Sequence, residues 1–434
     1  MVSGDMPRFQ TLRGMRDFLP EDLQKRRQIE NTIRSLFKLY GYEEIATPII
    51  ESMQLLTAKA GDEIRHRMYS FPDLGKREVA LRPEMTASVA RLVVNHLRYS
   101  PKPLRLGYVS NCFRYDEPQQ GRYREFWQGG FELFGSTRPE ADAETLIIAD
   151  QLMRILGFQN YEIKVSHIGI LRAVLEQEGV DERTQNEALL FMDRGEYENL
   201  IALVQDYVSE ECINVSRQLF DIRTDDVNKA LDRGRKLLQN YEKALQSLEN
   251  LGSIINILRD SEADIPLTIN LGFGRGLEYY TGMVFEVFVP DLGIALNGGG
   301  RYDRLIEVFG GEPTPAVGCA PGIDRIVLAM EKKRLFKEET RGPKVLVIPL
   351  EDELQGQALR VAEKLRKKGF RTEVEVTGRG LKKALSFASN AKYTHAVIVG
   401  LRELSRDSAT VRNLARNEQT EVKIDTIQDQ LERD

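Results

Sequence analysis

Between Phe113 and Gly135 the chain reads FRYDEPQQGRYREFWQGGFELFG, with three arginines, several carboxylates and an aromatic run in one short stretch. The apolar run Leu106 to Cys112 predicts a strand leading in, and Pro118 to Gly121 predicts a turn. Arg114, Arg122 and Arg124 then fall at or near a hairpin tip. Guanidiniums gathered there suit a polyphosphate, because each presents planar, permanently charged donors that match phosphate oxygens. An aromatic such as Phe126 can cover a nucleotide base. The competing reading is an exposed hairpin laced with charge pairs of little energetic weight.

Several other segments share this polar bias. Arg82-Pro83-Glu84-Met85-Thr86 puts a carboxylate and a hydroxyl at a helix start, where either a ligand or simple capping accounts for them. RGLEYYTG, Arg275 to Gly282, sets an arginine beside Tyr279 and Tyr280, with glycines that let a ligand approach the backbone. GGGRYD, Gly298 to Asp303, repeats the pattern with Tyr302, or is a glycine-rich turn. Pro321-Gly322-Ile323-Asp324-Arg325 opens the helical run IVLAMEKK and offers one more guanidinium, Arg325.

Some phosphate and catalytic signatures are missing. No GxxxxGK[ST] loop occurs, and the glycines of GFGRG lack the spacing and βαβ context of a dinucleotide site. His167-Ile168-Gly169-Ile170 matches the HIGH tetrapeptide of another nucleotide-using class only by chance, since the final histidine and a KMSKS partner are absent. Cys112, Cys212 and Cys319 lack metal-ligand spacing and read as small buried apolar side chains, so no metal ligands are assigned. No Ser/His/Asp or Cys/His set is evident.

Positioning these residues requires an antiparallel sheet with flanking helices. Helices are expected over Glu21 to Leu39, closed by Gly41, over Thr86 to His96 and over Ala141 to Gly157. Glu44 to Ile50 predicts a strand interrupted by Pro48, and Gly282 to Val289 with Ile294 to Asn297 predicts a second hairpin around PDLG. Short hairpin loops mean antiparallel neighbours. From about Ile170 to Asp264 the chain turns helical, and Leu231, Leu238 and Leu245, interleaved with Tyr241, Leu248 and Ile255, mark an amphipathic helix. A coiled-coil arm is the alternative, although Gly234 and Gly252 interrupt its seam. After a linker, Lys337 to Pro343, KVLVIPL, Leu354 to Lys368, RTEVEV, Leu381 to Asn390 and THAVIVG alternate as βαβαβ, with ATVRNLA and TEVKIDT as further strands.

With 434 residues, two or three domains are expected. The 41% hydrophobic and 29% charged composition is that of a soluble globular protein, and with neither a membrane-length apolar run nor an apolar leader a cytoplasmic protein is expected. Net charge is −5, which opposes an all-over nucleic-acid coat. From Pro343 onward, however, 17 Lys+Arg face 14 Asp+Glu, a net of +3, so a C-terminal module that touches a polyanion is open, as is a solvated face of mixed charge.

Taken in order, these segments resemble the histidyl-tRNA synthetases, class II enzymes, in an archaeal-like form. LRGMRDFLPED resembles the family's N-terminal signature, YGYEEIATPIIES its first class motif, FRYDEPQQGRYREFWQ its second and PGIDR its third. RGLEYYTG and GGGRYD resemble the two histidine-specific signatures. The resemblance implies an α+β catalytic domain built on an antiparallel sheet (1–168 and 265–336), a helical insertion (169–264) and an α/β anticodon-binding domain (343–434). It implies ATP with Mg2+, L-histidine and tRNA(His) as partners, and a homodimer joined through the first motif.

Carried over by position, the resemblance gives Arg114 and Arg325 to the ATP phosphates, Arg122 to the triphosphate tail and Phe126 to adenine. Glu84, Thr86 and Gln128 hold the histidine amino and carboxylate groups; Glu132, Tyr279, Tyr280 and Tyr302 surround or read its imidazole. Arg275 bridges the amino-acid carboxylate and the α-phosphate and is the catalytic residue, with Arg114. Tyr115-Asp116 departs from the family's usual aromatic-or-histidine then Glu, which puts the contact of Asp116 with adenine or magnesium in doubt. Gln119 and Gln120 approach the acceptor end of the tRNA, and Arg379, Lys382 and Lys383 its phosphates.

The chemistry agrees with these roles. Forming histidyl-adenylate brings two anions together, so fixed positive charge and positioning lower the barrier without a protein nucleophile. An imidazole site made of a carboxylate and tyrosyl hydroxyls leaves polar groups unpaired around a wrong amino acid. The rival is a catalytically silent, histidine-binding regulatory paralogue of ATP phosphoribosyltransferase; such proteins generally lose the arginine and tyrosines of RGLEYYTG and the C-terminal module, which are all present here.

Overall fold

The structure, a computed structural model, describes residues 9–58, 65–336 and 342–433. Part of the expected linker lies outside the described residues. The chain divides into two compact units, Met1–Phe336 and Lys337–Asp434.

The first unit is organised by a nine-stranded sheet. Its strands are β1 (Glu43–Glu44), β5 (Leu104–Phe113), β6 (Glu125–Phe134), β7 (Glu162–His167), β8 (Arg223–Thr224), β9 (Leu267–Asn270), β10 (Met283–Val289), β11 (Ile294–Arg301) and β12 (Ala316–Cys319). Their order is β1-β5-β6-β12-β11-β10-β7-β9-β8. The centre, from β5 to β7, is antiparallel, as the hairpins require, whereas β1/β5 and β7/β9 are parallel pairs, so the sheet is mixed at its flanks.

The expected strand over Glu44 to Ile50 is instead two strands in different sheets. Besides β1, β2 (Ile50–Ser52) pairs with β4 (Glu78–Leu81), which also pairs with β3 (Ser70–Pro72). Pro48 has no N–H to offer a ladder, and the carbonyls of Thr47 and Pro48 accept instead from the buried Arg82 guanidinium, at 2.8 and 3.1 Å.

The helix Pro20–Tyr40 starts with proline and two acidic residues and stops at Gly41, φ +69°, the left-handed conformation glycine takes without strain. Ile29, Ile33, Leu36 and Phe37 are its buried stripe. Phe37 and Ile33 reach the backbone of Gly107 and Gly129, where a Cβ would come within 2.6 and 2.7 Å of them, so this helix rests directly on one face of β5 and β6. The opposite face is left for chemistry.

The leucine seam at 231–255 is not one helix. Val227–Leu237 and Glu242–Asp260 are separate, and Gly234 and Gly252 lie inside them. A Cβ on Gly234 would meet Leu248 Cδ2 at 2.8 Å, and one on Gly252 would meet Leu231 Cδ1 at 3.4 Å, so the glycines let the two helices approach. Leu231, Leu238, Leu248 and Ile255 are all buried, so the seam that a coiled-coil arm needs is not open to a partner.

The second unit has the sheet order β14-β13-β15-β16-β17, with β13 (Lys344–Pro349), β14 (Arg371–Val374) and β15 (His395–Val399) parallel and β16 (Ser408–Asn413) and β17 (Glu418–Lys423) antiparallel. Helices Gln355–Lys367 and Leu381–Asn390 supply the crossovers. Separate apolar clusters, around Val347 and Leu365 and around Leu346 and Tyr393, form its core.

Candidate active site

Strand alternation sorts the site. Glu132 pairs in register with Leu106 and Gly318, Gly318 with Gly300, Gly130 with Tyr108, Gln128 with Ser110, and Gly298 with Glu286. Register partners share a face, so these even-numbered residues all rise on the side away from the Pro20–Tyr40 helix. Of these, Tyr108, Gln128, Glu132, Glu286, Gly298 and Gly318 line a cavity of about 340 Å³.

Glycines make this floor able to carry large polar groups. A Cβ on Gly130 would lie 2.0 Å from Tyr108 Cζ, on Gly318 2.0 Å from Glu132 Oε2, on Gly300 3.0 Å from the Tyr280 ring and on Gly298 2.1 Å from Arg275 Nη1. The GGG of GGGRYD is therefore part of β11 and not a turn. Its arginine is structural: Arg301 turns into the core, meets both oxygens of Asp142 at 2.6 to 3.1 Å and bonds the Ser136 carbonyl at 2.8 Å.

One end of the cavity is a ring of hydroxyls about two carboxylates. Thr86 donates to Glu132 Oε1 at 3.1 Å, Tyr108 at 3.4 Å, and Tyr302 donates to Oε2. Burial pushes Glu132 up to about 8, against the opposing pull of these hydroxyls. Tyr279 donates to Glu84 Oε2 at 2.9 Å; burial raises Glu84 too, while Tyr279, Arg114 and the Ala87 N–H of the helix start pull it down. Capping thus explains part of the role of Glu84, whereas the Thr86 hydroxyl is turned to Glu132. Burial also raises Tyr108, Tyr279, Tyr280 and Tyr302, so all four phenols keep their protons as donors.

The same cavity is lined by Arg114, Arg122, Arg275 and Arg325. Arg114 donates to the Pro83 carbonyl at 2.8 Å and lies 5.3 Å from the Phe126 ring centroid. Arg122 faces Asp116 at 3.7 Å, and Arg325 donates to the Ala295 carbonyl at 3.1 Å. Several guanidiniums sharing one cavity is an arrangement that multiply charged anions neutralise.

All the residues expected to meet histidine or ATP line this one cavity: Glu84, Thr86, Arg114, Asp116, Arg122, Phe126, Gln128, Glu132, Arg275, Tyr279, Tyr280, Tyr302 and Arg325. Arg124 does not. It stacks on Tyr115 at 3.7 Å and packs under Gly14, φ +83°, where a Cβ would touch it at 2.7 Å. Gln119 and Gln120 are exposed at the hairpin tip, outside the cavity lining. Arg379 is tied to Glu375 at 2.8 Å and lies 4.2 Å over Phe387, while Lys382 and Lys383 are exposed.

The lining also includes Arg67, Tyr108, Asp193 and Glu286, which lie outside the motifs, and Asp324 of PGIDR, to which no role was given. Tyr108 and Glu286 were readable from strand alternation. Asp193 and Arg67 leave no local signal, since tertiary packing brings them in; Asp193, on the helix Glu182–Arg194, comes so near Gly276 that a Cβ there would lie 2.8 Å from its Oδ2. Asp324 accepts from the Trp127 N–H at 2.6 Å and pairs with Arg16, which ties the N-terminal signature to the third motif. The three cysteines are free and buried, and His167 ends β7 outside the cavity lining.

Comparison with known proteins places this geometry. Residues 14–326 match the family model described as histidyl-tRNA synthetase, and residues 344–434 the model described as anticodon binding domain. The histidine–tRNA ligase of Methanocaldococcus jannaschii is 42% identical over 421 residues, covering 96% of this chain and 98% of the relative. That of Pyrococcus abyssi is 40% identical and covers 96% and 97%. Among solved structures, a Bacillus halodurans protein described as an ATP phosphoribosyltransferase regulatory subunit/histidyl-tRNA synthetase superposes with TM-score 0.77 at 26% identity, covering 92% of this chain and all of that one.

Proposed function

This chain belongs to the histidyl-tRNA synthetase family, and from that premise we propose how its cavity works. The protein is an aminoacyl-tRNA synthetase: it activates L-histidine with ATP to histidyl-adenylate, releasing pyrophosphate, and transfers histidine to the 3′ end of tRNA(His). A regulatory paralogue is not favoured, because the archaeal ligases match across nearly the whole chain.

One observation carries the proposed roles: a single cavity gathers buried carboxylates that accept from hydroxyls together with four arginines. Glu132 with Tyr280 and Tyr302 reads the imidazole, while Glu84, Thr86 and Gln128 hold the amino and carboxylate groups. Arg114, Arg122 and Arg325 take the phosphates, Phe126 the adenine. Arg275 joins the histidine carboxylate to the α-phosphate and stabilises the charge that grows there as the acyl-phosphate bond forms. ATP–pyrophosphate exchange across the twenty amino acids tests the reading; stimulation by any amino acid other than histidine removes it.

ATP brings a divalent ion, proposed to be Mg2+, whose chemistry is to neutralise phosphate charge. Mg2+ keeps several waters and is usually bound through substrate phosphates and one or two carboxylates. Asp116, which lines the cavity and faces Arg67 at 3.4 Å and Arg122 at 3.7 Å, is the carboxylate proposed to meet it once the phosphates draw those arginines away.

We propose residues 169–264 as an insertion into the catalytic domain and 343–434 as the anticodon-binding domain, with Arg379, Lys382 and Lys383 toward RNA phosphates and Gln119 and Gln120 toward the acceptor end. A homodimer is proposed through the first motif, whose Ile49 and Ile50 are exposed apolar side chains, as is Phe71. Sedimentation tests it, a monomer overturning it. A cytoplasmic location is proposed on the family alone; among the described residues no helix is long and apolar enough to cross a membrane.

A further inference from the structure

A row of alternating charge runs across the active-site face of the sheet into Arg275. Arg223 on β8 faces Glu162 at 3.5 Å, Glu162 faces Lys164 at 3.6 Å, Lys164 faces Glu286 at 3.9 Å, and Glu286 faces Arg275 Nη1 at 3.6 Å. Strand register builds this row: Lys164 on β7 and Gly298 on β11 are both partners of Glu286 on β10. Because Gly298 has no side chain, the Arg275 guanidinium lies in that vacant position, directly beside the Glu286 carboxylate.

We propose that Glu286 is a positioning residue for Arg275, with Lys164 holding its carboxylate back. This rests on the reading of Arg275 as the group that joins the two substrate anions. At 3.6 Å the pair is too long for a hydrogen bond, so Glu286 fixes the guanidinium by charge without using up a donor. Lys164 stands on the other side of the same carboxylate at 3.9 Å, anchored over the Phe288 ring at 3.7 Å, so the carboxylate is held between two cations. Without Lys164, Glu286 closes on Arg275 and competes with the substrate anions. Without Glu286, Arg275 loses its lateral restraint, and a misplaced guanidinium costs rate rather than ground-state binding.

Single-turnover adenylate formation in a double-mutant cycle tests this. Glu286→Gln lowers the rate about tenfold, chiefly in kcat and not in KM for histidine, while Glu286→Asp, which keeps the charge, recovers part of it. Lys164→Met lowers the rate several-fold for the opposite reason. In the Arg275→Ala background neither substitution causes a further loss, and the melting temperatures of soluble variants stay near wild type. Losses that multiply with that of Arg275→Ala, or a Glu286→Gln rate equal to wild type, overturn the proposal. Should Glu286→Gln fail to fold, the Lys164→Met arm decides alone by the same criterion. Failure of the underlying reading looks different: Arg275→Ala itself then retains its rate.

Discussion

Tyr302 donates its phenolic hydrogen to Oε2 of Glu132 across the glycine floor of the cavity, where Gly318 leaves the carboxylate the room it needs. Burial nevertheless dominates, and the Glu132 carboxyl is pushed from 4.5 up to about 8. An unfolded glutamate has already lost its proton near pH 4.5, so between there and about pH 8 the folded chain carries the extra proton. The stability contributed by this group is therefore fully present below pH 4.5 and lost as pH rises through 8. Glu132→Gln removes that dependence: between pH 5 and 8 its melting temperature falls less steeply than that of the wild type. Parallel melting curves over that range would show that Glu132 ionises normally.

The Arg275 guanidinium covers Gly298 so closely that the three nearest atoms to a Cβ there all belong to Arg275, the closest at 2.1 Å. Gly298→Ala therefore displaces that side chain first. Adenylate formation is expected to drop by on the order of 10²-fold, close to the loss on Arg275→Ala, with little change in melting temperature. Gly318→Ala is the contrast, since its Cβ would strike the Phe131 carbonyl at 2.5 Å as well as Glu132, and it should cost stability too. A Gly298→Ala enzyme of normal rate would show that Arg275 need not lie where it does.

What the sequence made legible follows from locality. Turn chemistry and apolar pattern located the β5/β6 hairpin and the helix Thr86–His96, because each is written in neighbouring residues. Glycines were ambiguous: those of GGGRYD left a ligand site or a turn open, and Gly234 and Gly252 spoke against a coiled coil without showing that they permit close packing, which only tertiary structure reveals. Arginines were equally ambiguous in type. Arg114 and Arg275 reach the cavity, while Arg124 and Arg301 have the same composition around them but turn to Tyr115 and Asp142. The parallel flanks were hidden for the same reason, since β1 is two residues long and β9 four, too short to carry a periodic signal of their own.

The buried pair Arg301 and Asp142 gives a prediction that separates scaffold from chemistry. Their side chains are 7% and 1% exposed, and Arg301 holds both carboxylate oxygens and the Ser136 carbonyl. Arg301→Ala leaves Asp142 charged, buried and unpaired, which costs about 3–5 kcal/mol. A large fall in urea midpoint is expected, read by far-UV circular dichroism. An unchanged midpoint together with lost adenylation would place Arg301 in the reaction instead.

Deleting the second unit tests the division of labour. Residues of the first unit supply the whole lining of the cavity, and the second unit has its own sheet and its own apolar clusters. On the proposed roles, chemistry on histidine and ATP depends on side chains between Arg67 and Arg325, and recognition of the RNA away from its acceptor end falls to the module after Pro343. Truncation at Pro343 is expected to leave histidine-dependent ATP–pyrophosphate exchange within about threefold of the full chain, because no transition-state contact is removed. Charging of tRNA(His) should fall far more, with the loss concentrated in KM for tRNA, since phosphate contacts set affinity and register. Raising the salt concentration should weaken tRNA binding less steeply in the truncated protein, because fewer phosphates are neutralised. Full charging by the truncated chain, with an unaltered salt dependence, would mean that the basic residues Arg379, Lys382 and Lys383 do not touch the RNA.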